Sequence, residues 1–450
     1  SMKIIIAGAG EVGFPLAKLL SYESQNITLI DTEKESLMYA DNHLDIKVLR
    51  GDATSISLLQ EAEVHQSELV IGVTSSETTN ITFCMLAKQL GCKRTIARIS
   101  NTEFIHNKDL IRFTELGIDE LISPEQLAAS EIQLLLNKSA FNDTYEFEGG
   151  ELIMIGVSLQ KKAPFVGKMV KEAAQIFPEL HFMPIALQRL GTQFTVIPRG
   201  DTVFKEGDQV YFITTPEGVD ELYKLTNKKK EEIRNVMILG GSKVGFKTAR
   251  DLCAKKFNVK VIEKNKEKAF DLADDLPNAL VINGDGRNVE LLEEESLDSM
   301  DAFVAVTGNS ETNIMSCLVA KSKNIKKTIA LVENMDYFQL SHSIGIDTLI
   351  NKKLLAANHI FRHIRKGEVV ELMRLNNINS EILEFEVKPS SRVAGKVIRE
   401  IDFPREATIG GIVRNGKGII ALGGFKIMAG DRVVVCSLPE AIPKIERLFL

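Results

Sequence analysis

Gly8-x-Gly10-x-x-Gly13, with Asp31 placed 18 residues after Gly13, are the residues whose types and spacing could hold a nucleotide. The glycines lie between an apolar run, Lys3–Ala7, and a helical pattern opening at Val12. Gly8 permits a tight turn, Gly10 lets the backbone approach a pyrophosphate, and Gly13 lets a helix pack closely on a strand. The helix N-terminus then offers free N–H groups and the positive end of its dipole to phosphate. Asp31 can accept hydrogen bonds from both ribose hydroxyls and would repel a 2′-phosphate. That chemistry favours NAD(H) or adenine nucleotides over NADP.

The pattern returns in the second half as Gly240-x-Ser242-x-x-Gly245, with Glu263 again 18 residues after the last Gly. Ser242 replaces the middle glycine and adds only a hydroxyl, so close approach of phosphate is slightly hindered rather than blocked. Lys243 replaces Glu11 and either favours a more anionic ligand or faces water. Ligands of such folds sit at the carboxyl ends of the strands. Asp52 and Ala53, Thr74 and Ser75, and Arg98 occupy those places in the first half. Asp285, Thr307 and Leu331 occupy them in the second. Asp52 and Thr74 are either ligand contacts or helix caps. Arg98 would bind phosphate bidentately or couple the ligand to a moving helix; Leu331 at the matching place leaves open whether the second site takes the same ligand.

The elements that position these residues repeat as well. Lys3–Phe14 returns as Asn235–Phe246 at an offset of 232; Gly51-Asp52, Thr74 with Asn80, and Thr95-Ile-Ala97 return at 233. Glu206-Gly-Asp-Gln-Val-Tyr-Phe212 matches Ala429-Gly-Asp-Arg-Val-Val-Val435 at 223. A tandem duplication of two modules in one order follows. In the first module the predicted strands are Lys3–Ala7, Asn26–Ile30, Ile46–Arg50, Leu69–Thr74, Arg94–Ile99 and Ile118–Ile122. The predicted helices are Val12–Tyr22, Lys34–Asp41, Ser55–Ala62, Thr78–Leu90 and Glu103–Leu116, with Gly91 and Gly117 just past helix ends. This alternation predicts an α/β fold, a Rossmann-like doubly wound parallel sheet covered on both faces, repeated over about Arg234–Ile350. A further helix, Glu125–Lys138, packs either internally or on a neighbouring subunit. Each Rossmann-like module is followed by a small α+β unit, read in the first copy from Leu152–Leu159, Phe182–Gln188, Gln193–Ile197, Gln209–Thr214 and a helix at Glu217–Lys224. The predicted domains are 2–139, 140–227, 228–369 and 370–450, with Lys228-Lys-Lys-Glu-Glu232 as a charged linker.

Composition closes off other classes. At 450 residues, 44% hydrophobic and 26% charged, the chain suits several folded modules. A net charge of −6, no Trp and only 6% aromatics speak against nucleic acid as a partner. No apolar run approaches the roughly 20 residues of a membrane span. Ser1 before Met2 reads as a tag remnant with no secretory leader after it, which fits a soluble, cytosolic protein. The five cysteines are widely spaced without a Cys-x-x-Cys pair, so zinc and disulfide frameworks are poor readings and buried thiols the better one. His359 and His363 share a helical face at i, i+4, which reads as a polar helix face rather than a metal site.

Gly8-Ala-Gly-Glu-Val-Gly13, Gly51-Asp-Ala-Thr54, Thr95-Ile-Ala-Arg98 and Gly117-Ile-Asp-Glu-Leu-Ile-Ser-Pro124 carry a resemblance that spans nearly the whole chain. Together with the order of the four modules, they resemble the TrkA family of peripheral regulatory subunits of bacterial Trk potassium uptake systems, built of RCK (KTN) N- and C-domains. The resemblance implies binding of NAD(H) and of ATP or ADP, a homo-oligomeric, tetrameric ring, and docking on a membrane potassium transporter at the inner face of the plasma membrane. By position it implies that the first ligand touches Gly8, Ala9, Gly10, Glu11, Val12 and Gly13, then Asp31, Asp52, Ala53, Thr74, Ser75 and Arg98. For the second ligand it implies Gly240, Gly241, Ser242, Lys243, Val244 and Gly245, then Glu263, Asp285 and Thr307.

Two functions remain to be separated. In one, ligand binding biases two arrangements of a ring that gates ion flow. In the other, the chain is an NAD-dependent oxidoreductase. An oxidoreductase would need a placed acid or base beside the nicotinamide. The small units offer no paired carboxylates, no His–Asp or Cys–His constellation and no metal cluster, so the regulatory reading without catalysis is preferred.

Overall fold

The computed structural model describes residues 2–21, 25–101, 103–137, 143–147, 150–172, 181–189, 192, 195–227, 232–334, 345–364, 369–374 and 380–450. Two compact units emerge, Ser1–Leu127 with Lys352–Ile364, and Ala128–Asn351 with Arg365–Leu450. The predicted linker over 228–231, the ends of predicted elements at Tyr22, Lys138 and Gln193, and the side chain of His363 lie outside the described residues.

In the first unit, β1 (Lys3–Ala7), β2 (Asn26–Asp31), β3 (Lys47–Arg50), β4 (Leu69–Gly72), β5 (Arg94–Arg98) and β6 (Glu120–Ile122) form one sheet in the order β3-β2-β1-β4-β5-β6. All five pairings are parallel. This is the doubly wound order, with its switch point between β1 and β4. Ile4, Ile5, Ile6 and Ala7 are fully buried because helices cover both faces. The helices of this unit include α1 (Gly13–Ser21), α2 (Lys34–His43), α3 (Ile56–Glu61), α4 (Glu77–Gln89) and α5 (Glu103–His106). Ser55 and Ser76 cap α3 and α4, accepting from the Leu58 and Thr79 amides. One face's core gathers Ile5, Val70, Phe83, Cys84 and Ala97.

One expectation is corrected here. The helix predicted over Glu103–Leu116 is only Glu103–His106, continued by turns. Asn107 donates to the Glu103 carbonyl from both its backbone amide at 3.0 Å and its side-chain amide at 2.8 Å, and the chain runs on from there in turns. The helix Lys352–Ile364, which follows the second Rossmann-like module's strands in sequence, packs along α1 in the first unit.

The second unit repeats the parallel sheet with β12 (Asn235–Leu239), β13 (Asn258–Glu263), β14 (Leu280–Asn283), β15 (Ala302–Ala305), β16 (Lys327–Leu331) and β17 (Thr348–Ile350). Their order, β14-β13-β12-β15-β16-β17, duplicates that of the first sheet. It also holds two antiparallel sheets. One is built from β7 (Asp143–Phe147), β8 (Leu152–Ser158), β9 (Phe182–Gln188), β10 (Thr195–Val196) and β11 (Gln209–Thr214). The other is built from β18 (Val369–Arg374), β19 (Glu381–Glu386), β20 (Ala407–Arg414), β21 (Lys417–Ile419) and β22 (Arg432–Ser437). They share a core in which Tyr211 and Ile213 meet Ile382, Val413 and Val434. The repeated Gly-Asp is structural. Asp208 binds Arg189 at 2.8 Å and the Lys205 amide at 2.8 Å, and Asp431 binds Arg414 and the Met428 amide, each at 2.8 Å.

A second duplicated clamp ties β16 to β17. Asp347 accepts from Lys321 Nζ at 2.7 Å and from the Thr328 amide at 2.8 Å. Burial pushes its carboxyl up, yet Lys321, Lys327 and the Thr328 bond outweigh burial and hold it below its ordinary value. A carboxyl lowered in the folded state stabilises fully above its unfolded pKa of about 3.9 and less as pH falls through the folded value. Asp347→Asn is therefore expected to lower the melting temperature at pH 7 and to flatten its decline below about pH 4, as followed by circular dichroism melts. An acid limb as steep as that of the parent chain would contradict the clamp.

The five cysteines are free thiols, four of them buried. Burial raises every one, Cys436 to about 12, so none is a poised thiolate at neutral pH. Among the described residues no group of His, Cys, Asp or Glu is arranged to hold a metal ion. Among the same residues, no helix is long and apolar enough to cross a membrane.

Candidate nucleotide-binding sites

The first glycine turn joins β1 to α1 at the sheet's switch point. Gly8 has φ +112°, and a Cβ there would lie 2.8 Å from the Val73 carbonyl oxygen. Gly13 is constrained more severely, since its Cβ would come 1.6 Å from the Gly8 carbonyl oxygen. Gly10 differs: a Cβ there meets no atom within 4 Å and would project into the open crevice. The three glycines therefore do separate jobs, two in folding the turn and one in leaving room above it.

Asp31, at the end of β2, accepts from the Ala9 amide at 2.7 Å and the Glu33 amide at 2.9 Å. The amides of Gly10, Glu11, Val12 and Gly13 have no acceptor among the described residues, and they point the positive end of α1 at the crevice. Val12 is itself buried, so only its backbone faces the site. Ala53 is likewise buried in the core. Asp52 is exposed and accepts from the Thr54 amide at 2.8 Å and the Thr54 hydroxyl at 2.7 Å, bonds that hold its carboxyl below the usual range. Ser75 is exposed at the crevice rim beside Thr74.

Thr74 is largely committed to the fold. Its hydroxyl donates to Asn80 Oδ1 at 2.6 Å and its amide to the same oxygen at 2.9 Å. Asn80 Nδ2 in turn donates to the Thr74 and Arg98 carbonyls, each at 3.0 Å. Fully buried Asn80 thus locks the loops after β4 and β5 together, a positioning role that its recurrence as Asn313 hinted at and spacing alone did not assign. The Arg98 guanidinium forms no hydrogen bond or ion pair among the described residues, so its donors remain for a ligand. A further cation arrives from far along the chain: Lys353, on the helix Lys352–Ile364, pairs with Glu11 Oε2 in the glycine turn. Nothing in the spacing of the first module pointed to Lys353.

The second turn repeats this frame with altered chemistry. Gly240 has φ +108°, and a Cβ on Gly245 would lie 2.0 Å from the Gly240 carbonyl oxygen. Ser242 turns inward: its hydroxyl donates to the Val306 carbonyl at 2.7 Å and accepts from the Gly245 amide at 3.1 Å. The serine is a helix cap that leaves the crevice clear but withdraws one amide from phosphate. Glu263 accepts from the Gly241 amide at 3.2 Å and the Asn265 amide at 3.1 Å, and is buried. Gly241 stands where the first site has Ala9; a Cβ there would come 2.1 Å from Leu272 Cδ1 and 3.3 Å from Glu263 Cγ. Val244 is buried as Val12 is. Thr307 and Asn313 repeat the Thr74–Asn80 lock at 2.6 Å, with Leu331 supplying the second carbonyl, in the place of Arg98, at 2.8 Å. Asp285 is bound by Arg287 at 2.8 Å, which holds its carboxyl down at about 2. Lys243 is exposed. Between these groups lies a cleft of about 390 Å³, within the range of small-ligand sites.

The chain matches the TrkA-N domain over 4–124 and 236–352, and the TrkA-C domain over 154–227 and 382–450. It is 32% identical to the Trk system potassium uptake protein TrkA of Halomonas elongata, over all of this chain and 98% of that one. It is also 32% identical to TrkA homolog 1 of Methanosarcina mazei, with both chains fully covered. Among solved structures, the GsuK channel bound to NAD superposes with a TM-score of 0.59 at 16% identity, over all of this chain and 79% of that one. The GsuK RCK domain superposes at 0.58 and 16% identity, over all of this chain and 95% of that one. The structural likeness shows the fold, and the relatives are named for potassium uptake rather than for an enzymatic reaction. With both domain models matched twice in the same order, and relatives similar from end to end, the chain belongs to the TrkA family.

Proposed function

We propose that this chain is a nucleotide-sensing regulatory subunit of a Trk-type potassium uptake system. It works at the inner face of the plasma membrane, as a homo-oligomeric, tetrameric ring on a membrane potassium transporter. The observation that carries this reading is the pair of glycine turns with unpaired amides, each beside a carboxylate at the end of the second strand. NAD(H) is the first ligand, with ATP or ADP as the related adenine nucleotides; the names of the NAD-bound and ADP-bound GsuK structures support the same ligand class. The four modules are 2–139, 140–227, 228–369 and 370–450.

In the first site the diphosphate lies over Gly10 and takes the amides of Glu11, Val12 and Gly13, while Asp31 accepts the ribose hydroxyls. Gly8 and Ala9 shape the turn, the backbone of Asp52 and Ala53 flanks the adenosine side, and Thr74, Ser75 and Arg98 close the far side. In the second site Gly240 to Gly245, Glu263, Asp285 and Thr307 take the corresponding places. Ligand phosphate at the first turn competes with Glu11 for Lys353, so occupancy is felt by the helix Lys352–Ile364. A ligand shifts two arrangements of the ring only by its difference in affinity for them, and this ion pair is where such a difference arises.

NADH or ATP is expected to raise the melting temperature of the purified chain. Asp31→Ala is expected to weaken NADH at the first site roughly tenfold, the effect of losing about 1.4 kcal/mol of ribose hydrogen bonding. An unchanged thermal shift in that variant would remove Asp31 from the site. Steady NADH oxidation with a keto acid would contradict the regulatory reading.

A further inference from the structure

We infer that the second crevice selects its ligand by phosphate charge, taking an adenine nucleotide with a phosphoryl group beyond the diphosphate of NAD. This rests on the reading of that crevice as a nucleotide site. The two crevices share one backbone frame but differ in charge at matched positions. Where the first has Glu11, Thr32, Ser36 and Thr54, the second has Lys243, Lys264, Lys268 and Arg287. Two opposing changes, Glu33 to Asn265 and Arg50 to Asn283, cancel. Over these positions, counting Asp31, Asp52 and Arg98 with their partners Glu263, Asp285 and Leu331, the first crevice carries four acids and two bases, and Lys353 reaches Glu11 as a third base. The second carries two acids and four bases.

Lys264, Lys268 and Arg287 all line the cleft and are exposed. The acids among them are already engaged. Glu263 is buried under the Gly241 and Asn265 amides, and Asp285 is held by Arg287. A phosphoryl group entering the cleft can take Arg287 from Asp285 while meeting Lys268 and Lys264, which form no close ion pair among the described residues, although the Lys264 charge also acts on Asp285. The backbone points the same way, because the Ser242 cap has removed the Gly245 amide from the phosphate cradle while the first turn keeps all four. The second site thus exchanges an oriented amide for mobile cations, which favours total ligand charge over close fit.

The extra phosphoryl ends a polyphosphate, as in ATP; on the ribose, as in NADP, it would meet the Glu263 carboxylate as it would meet Asp31 in the first site, and titration checks both. The full-length chain carrying Gly10→Val to close the first site would be titrated with NAD⁺, NADP⁺, ADP and ATP, without divalent cations. ATP is expected to bind roughly five- to tenfold tighter than ADP, with the margin shrinking in high salt, and NADP⁺ no tighter than NAD⁺. Lys264→Thr, Lys268→Ser and Arg287→Thr together install the first site's residues and are expected to erase the margin, leaving NAD⁺ affinity within about twofold. Equal affinities for ATP and ADP, or a margin that survives the triple variant, would overturn charge selection while leaving the nucleotide site standing. Failure of all four nucleotides to bind would remove the nucleotide reading of this crevice and the inference with it.

Discussion

Gly10→Val is expected to lower NADH affinity at the first site by about a hundredfold or more, close to 3 kcal/mol, while leaving the fold intact. The reason is geometric. A Cβ at Gly10 meets no protein atom within 4 Å and its φ lies outside the left-handed region, so the folded chain tolerates the side chain. The space it fills is the space a diphosphate needs to reach the amides of Glu11, Val12 and Gly13. Binding falls because those donors become unreachable. Titration of the variant, paired with its unliganded melting curve, checks both halves. Full affinity would show that no ligand approaches this turn.

Gly13→Val is expected to do the reverse, with a large loss of stability and loss of binding only as a consequence. Its Cβ would sit 1.6 Å from the Gly8 carbonyl oxygen, a distance no rotamer relieves because both partners are backbone. Opening that contact shifts α1 off the sheet and disturbs the buried set of Leu16, Ala17 and Leu20. Overpacking of this kind costs about 3 kcal/mol or more. Chemical denaturation measures it, and a variant within about 0.5 kcal/mol of the parent would refute the close packing. The two substitutions lie three residues apart in one motif, so their opposite signatures separate the ligand's glycine from the fold's.

Much of this arrangement can be read from local patterns, because its causes are local. A buried parallel strand must be apolar throughout, which made Lys3–Ala7 and Leu69–Gly72 visible. A strand-to-helix turn needs glycine where φ is positive or the carbonyl is close, which made Gly8 and Gly13 visible. Duplication then doubled every signal.

Other features are fixed by long-range packing, which sequence periodicity does not report. Lys353 is 342 positions from Glu11 and reaches it only because the helix Lys352–Ile364 packs in the first unit. The inward turn of Ser242 depends on the Val306 carbonyl, 64 positions away. Lys264, Lys268 and Arg287 look like solvated charges in one dimension and become a set only when β13 and β14 lie side by side. The over-long helix from Glu103 followed apolar spacing, whereas the chain after His106 breaks into turns.

The most direct measurement is the count of nucleotides bound per chain in calorimetric titrations of the full-length protein with NADH and ATP. Two nucleotides per chain are expected, with the first-site event absent in Gly10→Val and the second retained. A parent chain that binds neither nucleotide, or a Gly10→Val chain that still binds two, would contradict the assignment of these crevices as receptors.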